Sequence, residues 1–235
     1  MASVKKLSSG SLSPVGKFPG VMSMGNGRRQ RFFVRSLVST SFFGEFVASV
    51  DGTLYREVDP SRSKLFAGIA KGISQIGFKQ DSSVLYLGAS HGYTVSFLSG
   101  MVSEGCVFAL DFAPRVVSDL VFVSEQLSNV APLMADAKTI DSYKDSLPSS
   151  GVDVVFMDIA QKDQVGIFLK NCDNFLKQGG FGLLALKARS EDVTKKPKDV
   201  FREVRKRLDE KKTVVDYREL APFENDHALF VVKNR

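Results

Sequence analysis

The chain has 235 residues, 43% of them hydrophobic and 25% charged, with a formal net charge of +6. That length suits one medium domain with at most a small appendage, and the composition is ordinary for a globular protein that folds in water. No apolar run approaches the roughly 20 residues that span a bilayer, and no apolar stretch follows Lys5 and Lys6 as it would in a secretory leader, so neither a membrane protein nor an exported one is expected.

The charge is unevenly placed. Residues 1–50 hold seven basic residues and one acid, Glu45, which leaves 25 basic and 25 acidic residues in the remainder. A second basic cluster runs from Lys187 to Lys212 and includes Arg202, Arg205, Lys206 and Arg207. Such clusters suit a polyanionic partner, and they also occur as plain solvated faces. The two cysteines, Cys106 and Cys172, fall inside a predicted strand and a predicted helix, which points to buried free thiols rather than a disulfide or a metal site.

In chain order, the first 25 or so residues are rich in Ser, Gly and Pro and are expected to be poorly ordered at the start. From Arg31 to Leu54 the pattern is strand-like, with Phe32, Phe33 and Val34, then Phe42, Phe43, Phe46 and Val47, and an Asp51-Gly52 hairpin turn. The Phe-rich stretches read as core of a small N-terminal β subdomain, residues 1–57, with base stacking as the other reading. After Pro60 the grammar changes. Ser61 is placed to cap a helix running to about Ile76, with Leu65, Ile69 and Ile73 on one face.

Strands and helices then alternate across residues 58–235. Strands are predicted near 83–87, 106–110, 130–134, 152–157, 181–187, 213–219 and 227–233. Helices are predicted near 92–102, 113–127, 138–146, 162–177 and 197–211, the last with Pro197 in its first turn. Lys177-Gln178-Gly179-Gly180 reads as a helix stop. This alternation predicts an α/β, doubly wound, mostly parallel sheet of seven strands. The last two strands have no helix between them and should form an antiparallel hairpin at one edge. In such sheets ligands bind at the C-terminal strand ends.

The residues at those ends are informative. Leu85-Tyr86-Leu87-Gly88-Ala89-Ser90-His91-Gly92 is a strand-to-helix turn in which Gly88 and Gly92 permit a tight bend and close approach of a nucleotide. Asp111 ends the next strand, where a carboxylate accepts ribose hydroxyls, and Asp136 follows the third, within reach of an adenine amino group. Ser90 stands where a dinucleotide fingerprint needs its middle Gly. The set therefore favours S-adenosylmethionine over a nicotinamide cofactor. Lys64, Asp158, Lys187 and His227 form a second group of polar residues at element ends; no metal-ligand set is expected.

At these residues the chain resembles the fibrillarin family, the S-adenosylmethionine-dependent RNA 2′-O-methyltransferases of box C/D ribonucleoproteins. The likeness runs from about Lys17 to Val232 and is carried by Lys17-Phe18-Pro19-Gly20-Val21, Asp59-Pro60-Ser61-Arg62-Ser63-Lys64-Leu65, Val84-Leu85-Tyr86-Leu87-Gly88-Ala89-Ser90, Asp158-Ile159-Ala160-Gln161, Lys187-Ala188-Arg189-Ser190 and Pro222-Phe223-Glu224-Asn225-Asp226-His227-Ala228. The resemblance implies a class I methyltransferase (Rossmann-like) fold behind the small β subdomain. It implies cofactor contacts at Gly88, Ala89, Gly92, Tyr93, Thr94, Asp111, Phe112, Asp136, Ala137, Asp158 and Gln161. Partners implied are a box C/D guide RNA, a target pre-rRNA or tRNA, a Nop-domain scaffold protein and a kink-turn-binding ribosomal-type protein. The opening is similar to archaeal members, which implies a cytoplasmic protein, or a nucleolar one if eukaryotic. Members usually carry Thr at Tyr93, a small residue at His91 and Glu at Asp111.

The resemblance also implies a catalytic group of Lys64, Asp158, Lys187 and His227, similar to the Lys-Asp-Lys-Glu set of related 2′-O-methyltransferases with His227 fourth. A ribose hydroxyl is a poor nucleophile and must lose its proton as the methyl arrives. Lys187, made neutral by neighbouring cations, is one candidate acceptor and Asp158 the other. His91 reads as a neighbour of the loop without catalytic work. Three competing functions share parts of this pattern. A protein-glutamine methyltransferase would share the cofactor pocket without needing two lysines. A non-catalytic RNA-binding subunit would need none of the four residues, and a nicotinamide oxidoreductase would want the missing glycine.

Overall fold

The computed structural model describes residues 4–235, apart from the side chain of Arg28. Two sheets share one body. The first contains β1 (Lys5–Lys6), β2 (Ser13–Pro14), β3 (Val21–Met24), β4 (Arg31–Arg35), β5 (Val47–Val50) and β6 (Thr53–Val58) in the order β1-β5-β6-β4-β3-β2. Its pairs are antiparallel except β1 with β5. The β5–β6 hairpin turns at Asp51 and Gly52, with φ of 48° and 81°, the left-handed pair a two-residue loop demands. The opening segment is therefore built into a sheet from Lys5 onward, contrary to the expectation from its composition; residues 1–3 lie outside the described residues. Its glycines serve as turns between short strands, and Leu12 and Val21 are buried.

The second sheet holds β7 (Ser83–Leu87), β8 (Cys106–Asp111), β9 (Val130–Met134), β10 (Val152–Met157), β11 (Leu176–Lys187), β12 (Thr213–Glu219) and β13 (His227–Lys233) in the order β12-β13-β11-β10-β7-β8-β9. The five strands from β11 to β9 are parallel, and β13 runs antiparallel to both β11 and β12. Strand β11 starts earlier than predicted. The supposed stop at 177–180 lies inside it, bulged out of register between the pairs Val152–Leu176 and Val154–Phe181.

Among the described residues six α-helices cover the sheet: α1 (Lys64–Ala70), α2 (Tyr93–Met101), α3 (Pro114–Ser124), α4 (Gln164–Phe175), α5 (Ala188–Glu191) and α6 (Pro197–Lys211). Alternation along each strand divides the core. Val84, Tyr86 and Phe156 face a layer built with α1, α2 and the first sheet's Phe32 and Val34. Leu85, Leu87 and Met157 face α4 and α6. The small sheet thus shares the domain's core, and α2 meets it so closely that a Cβ on Gly100 would lie 1.7 Å from the Arg35 carbonyl oxygen.

Two predicted helices differ. The helix expected over 61–76 is a 3₁₀ turn, Pro60–Arg62, followed by α1. Asp59 rather than Ser61 is the cap, accepting from the Ser61 N–H at 2.9 Å, and Gly72 at φ 77° ends the run that Ile73 was to continue. The helix expected over 138–146 is two 3₁₀ turns, Ile140–Ser142 and Lys144–Ser146, divided at Tyr143, whose φ is −142°. Tyr143 leaves the helical region to bury its ring and donate to Asn171.

Candidate active site

Strand order reverses between β7 and β10, and the crevice outside the C-terminal ends of those strands is where such sheets bind ligands. Gly88 follows β7 and Asp158 follows β10 at that point. Lys187 ends β11, His227 begins β13, and Lys64 opens α1. All four polar residues line one cavity of about 890 Å³. Lys64 Nζ donates to Asp158 Oδ2 at 3.2 Å. Lys187 and His227 are register partners in the β11–β13 ladder, which puts them side by side. Burial pushes the Asp158 carboxyl above its ordinary range; Lys64 and His227 oppose the shift and Glu224 adds to it. His227 Nδ1 lies 2.7 Å from the Asn225 carbonyl oxygen. A carbonyl only accepts, so Nδ1 carries the proton and a neutral imidazole keeps its lone pair on Nε2.

A second recess of about 330 Å³ adjoins the cavity; both are lined by Gly88, Ser90, Asp158, Ile159 and Ala160. Asp111, Phe112, Asp136, Ala137 and Gln161 line this second lobe. Ala89, Tyr93 and Thr94 line the larger one. Gly92 lines neither. With φ at 89° it is the residue preceding α2, so its expected ligand contact is replaced by a backbone role. Asp111 accepts from the Ser90 N–H at 3.0 Å and from the Ala113 N–H at 3.1 Å, which ties the loop to the second strand end. The Thr94 hydroxyl donates to Ser63. His91 pairs with Asp119 at the cavity edge, 2.7 Å apart and both exposed.

The lobes fit an adenosine-bearing cofactor. Two carboxylates stand on successive strand ends, the exposed ring of Phe112 lines the same recess, and Gln161 Oε1 is a buried acceptor with no partner in the described residues. Gly88 clears the path between the lobes. Its φ is 86°, and a Cβ there would lie 2.4 Å from the Asp158 carbonyl oxygen. Gly88→Ala is expected to abolish cofactor binding in calorimetric titration and to cost about 1–3 kcal/mol of stability by overpacking.

The sequence model of the Fibrillarin family matches residues 12–235. The chain belongs to the fibrillarin family. A fibrillarin-like rRNA/tRNA 2′-O-methyltransferase of Pyrococcus horikoshii is 42% identical over 220 residues, covering 92% of this chain and 96% of the relative. Among solved structures, the fibrillarin pre-rRNA processing protein of Methanococcus jannaschii superposes with a TM-score of 0.88 at 34% identity, covering 99% of this chain and 98% of that one. The fibrillarin of Aeropyrum pernix, solved with natively bound S-adenosyl-L-methionine, gives 0.85 at 33% identity, covering 99% and 100%. A chain of a fibrillarin/Nop5p complex gives 0.80 at 35% identity, covering 87% and 94%. The fold is accordingly the class I S-adenosylmethionine-dependent methyltransferase fold, with its antiparallel C-terminal hairpin.

Three features of this site were not legible in the sequence. Glu224 stands between two of the polar residues, with Oε1 3.8 Å from Lys64 Nζ and Oε2 3.7 Å from His227 Nδ1. It occupies the quoted Pro222-to-Ala228 stretch, where only His227 drew attention. Gln164, fully buried at the start of α4, accepts from the Lys187 N–H at 3.1 Å and donates to the Lys187 carbonyl at 3.0 Å. Strand β10 ends at Met157, whose partner is Leu184, so the last residues of β11 run past it. The Gln164 amide takes the place of a neighbouring strand and fixes the backbone that carries Lys187. No sequence signal distinguishes it from a helix-surface glutamine. Gln164→Ala is expected to cost about 1–3 kcal/mol for the two groups it orphans and to slow single-turnover methyl transfer by up to about 10²-fold, with cofactor affinity retained in the same titration.

The third feature is the wall supplied by the first sheet. Phe42 and Phe43 line the cavity, half-buried, while Phe32 and Phe33 are core as expected. Their loop is organised by Glu45, which accepts from the Phe42 and Phe43 N–H groups and from Arg56 Nη1 at 2.7 Å. The Arg56 guanidinium lies between the rings of Phe42 and Phe97, bonds Ser36, and donates to Ser96 on α2.

Proposed function

We propose that this chain is an S-adenosylmethionine-dependent ribose 2′-O-methyltransferase and the catalytic subunit of a box C/D ribonucleoprotein, acting on rRNA and tRNA at sites chosen by a guide RNA. The observation that carries the reading is the convergence of Lys64, Asp158, Lys187 and His227, from four separate elements, on a cavity continuous with a lobe shaped for adenosine. Relatives that are named rRNA/tRNA 2′-O-methyltransferases, and one solved with Nop5p, support it.

S-adenosylmethionine, when bound, supplies a methyl group activated by the sulfonium. Asp111, Phe112, Asp136, Ala137 and Gln161 would hold its adenosine end, and Gly88, Ala89, Tyr93 and Thr94 would border the rest. The chain's own work is at the ribose. Asp158, more basic than an ordinary carboxylate, pairs with Lys64 and orients that amine toward the acceptor hydroxyl. Lys187 and His227, side by side, take up and pass on the hydroxyl proton. Lys187 belongs to none of the site's ion pairs (Lys64 with Asp158 and Glu224, His227 with Glu224), so its amine is free to approach the hydroxyl. Most of the acceleration comes from alignment of the hydroxyl with the methyl group. Base pairing to a guide reads sequence, so the protein need only recognise the strand.

The test is incubation with methyl-labelled cofactor and a matched guide–target RNA pair, with and without a Nop-domain scaffold and a kink-turn-binding protein. Label on one ribose 2′-oxygen opposite the guide is expected. Label recovered on a protein glutamine, or on no macromolecule, would refute the reading.

A further inference from the structure

We propose that Arg62 is a phosphate-binding residue that grips the RNA backbone beside the ribose being methylated. The inference rests on the RNA methyltransferase reading above and adds a substrate contact to it. Arg62 ends the 3₁₀ turn two residues before Lys64 and is exposed. Among the described residues it is the one arginine that lines the catalytic cavity. It also lines an adjoining recess of about 440 Å³ bordered by Gln30, Arg31, Phe43 and Glu57. Arg62 therefore borders both the cavity and the adjoining recess.

Arg31, Arg56 and Arg189 are each paired with a carboxylate: Glu57, Glu45 and Asp226. Arg62 has no carboxylate partner among the described residues; its contacts are aromatic. The guanidinium carbon lies 4.1 Å from the centre of the Tyr93 ring and 5.7 Å from that of Phe43, and Nη1 reaches only the Phe43 carbonyl, at 3.5 Å. Stacking fixes the plane of the group and leaves most of its five donors unspent. A planar fork held this way is ready for bidentate contact with a phosphate.

The position favours RNA over the cofactor as the source of the anion. Arg62 ends the 3₁₀ turn and Lys64 opens α1 two residues on; the geometry of the turn is set by Asp59 accepting from the Ser61 N–H and hydroxyl. The cation is therefore fixed relative to the amine that holds Asp158, on the side where the acceptor ribose must lie. It does not line the lobe that carries Asp111 and Asp136. The neighbouring Phe42 and Phe43 rings offer no groups that read base edges. A backbone contact of this kind positions a strand without selecting its sequence.

The experiment is the salt dependence of RNA affinity for the assembled guide complex carrying wild type, Arg62→Ala, Arg62→Lys or the distant control Lys144→Ala. A fluorescent target oligonucleotide is titrated between roughly 50 and 200 mM salt, where each phosphate contact contributes a slope of about 0.7–0.9 in log affinity against log salt. Arg62→Ala is expected to lower the slope by roughly one contact and weaken RNA binding about tenfold at the low-salt end. Arg62→Lys keeps the slope, and Lys144→Ala leaves it as in wild type. Cofactor affinity, titrated separately, is expected to stay within twofold in all variants. An unchanged slope in an Arg62→Ala protein that still binds cofactor overturns the proposal. So does a selective loss of cofactor affinity, which would assign the guanidinium to the cofactor carboxylate. If wild type itself neither binds nor methylates the RNA, the failure lies with the functional reading instead.

Discussion

Lys187→Ala, which removes a proton-transfer group, and Asp158→Asn, which removes the charge that orients Lys64, are each expected to lower single-turnover methyl transfer by about 10²–10⁴-fold. Cofactor binding should survive in Lys187→Ala, since Lys187 lines none of the lobe that would hold the adenosine end. In Asp158→Asn the neutral amide can still accept from Lys64 but no longer balances the amines, so the loss is expected with the cavity intact. A combined variant should lose little more than the worse single one, because groups acting as a unit are not additive. Full activity in either single variant would remove Lys187 and Asp158 from the chemistry. Additive losses would separate them into independent roles.

Arg56→Ala is expected to have the largest effect on stability. It leaves Glu45 buried and unpaired, at a cost of about 3–5 kcal/mol, measured as a shift in the urea midpoint. The side chains of Arg56 and Glu45 are 1% and 4% exposed, so solvent does not screen the pair. The double variant Arg56→Met with Glu45→Gln should recover part of the loss, because no isolated charge then remains inside. Activity is expected to fall with the single change as well, since the Phe42–Phe43 wall hangs on Glu45. The pair also sets an acid dependence. Burial works against the Glu45 carboxylate, but the loop N–H groups and Arg56 outweigh it and hold its pKa below the ordinary value. Its contribution is therefore complete above the ordinary glutamate pKa and is lost as pH falls below that value. A Glu45→Gln protein should show a flatter decline of stability on that acid side; an identical decline would mean that Glu45 carries none of it.

Much of the frame was legible in the chain. The alternation of apolar runs between 83 and 233 fixed seven strands, and the absence of a helix between Glu219 and His227 marked the antiparallel hairpin. Local chemistry failed where two elements compete for one stretch. Ser61 looked like a helix cap because the apolar spacing after it is helical, yet the Asp59 carboxylate accepts from the Ser61 N–H and closes a tighter turn. Tyr143 interrupts a helical pattern because burying its ring against α4 outweighs continuing the helix. The short strands before Val21 carry few apolar residues, so only the partners they meet, β5 for β1 and β3 for β2, show them to be strands.

The sequence by itself determined which side chains stand at the strand ends, since Gly88, Asp111, Asp158, Lys187 and His227 are placed by the lengths of the apolar runs before or after them. What only the tertiary structure decided is what those residues meet. Glu224 beside Lys64 and His227, Gln164 on the backbone of Lys187, and Arg56 reaching from the first sheet to α2 are contacts between segments brought together by packing. Periodicity reports whether a residue faces a core. It carries no record of which distant polar group will be there to satisfy a buried charge, because that pairing exists only once the two sheets share one interior.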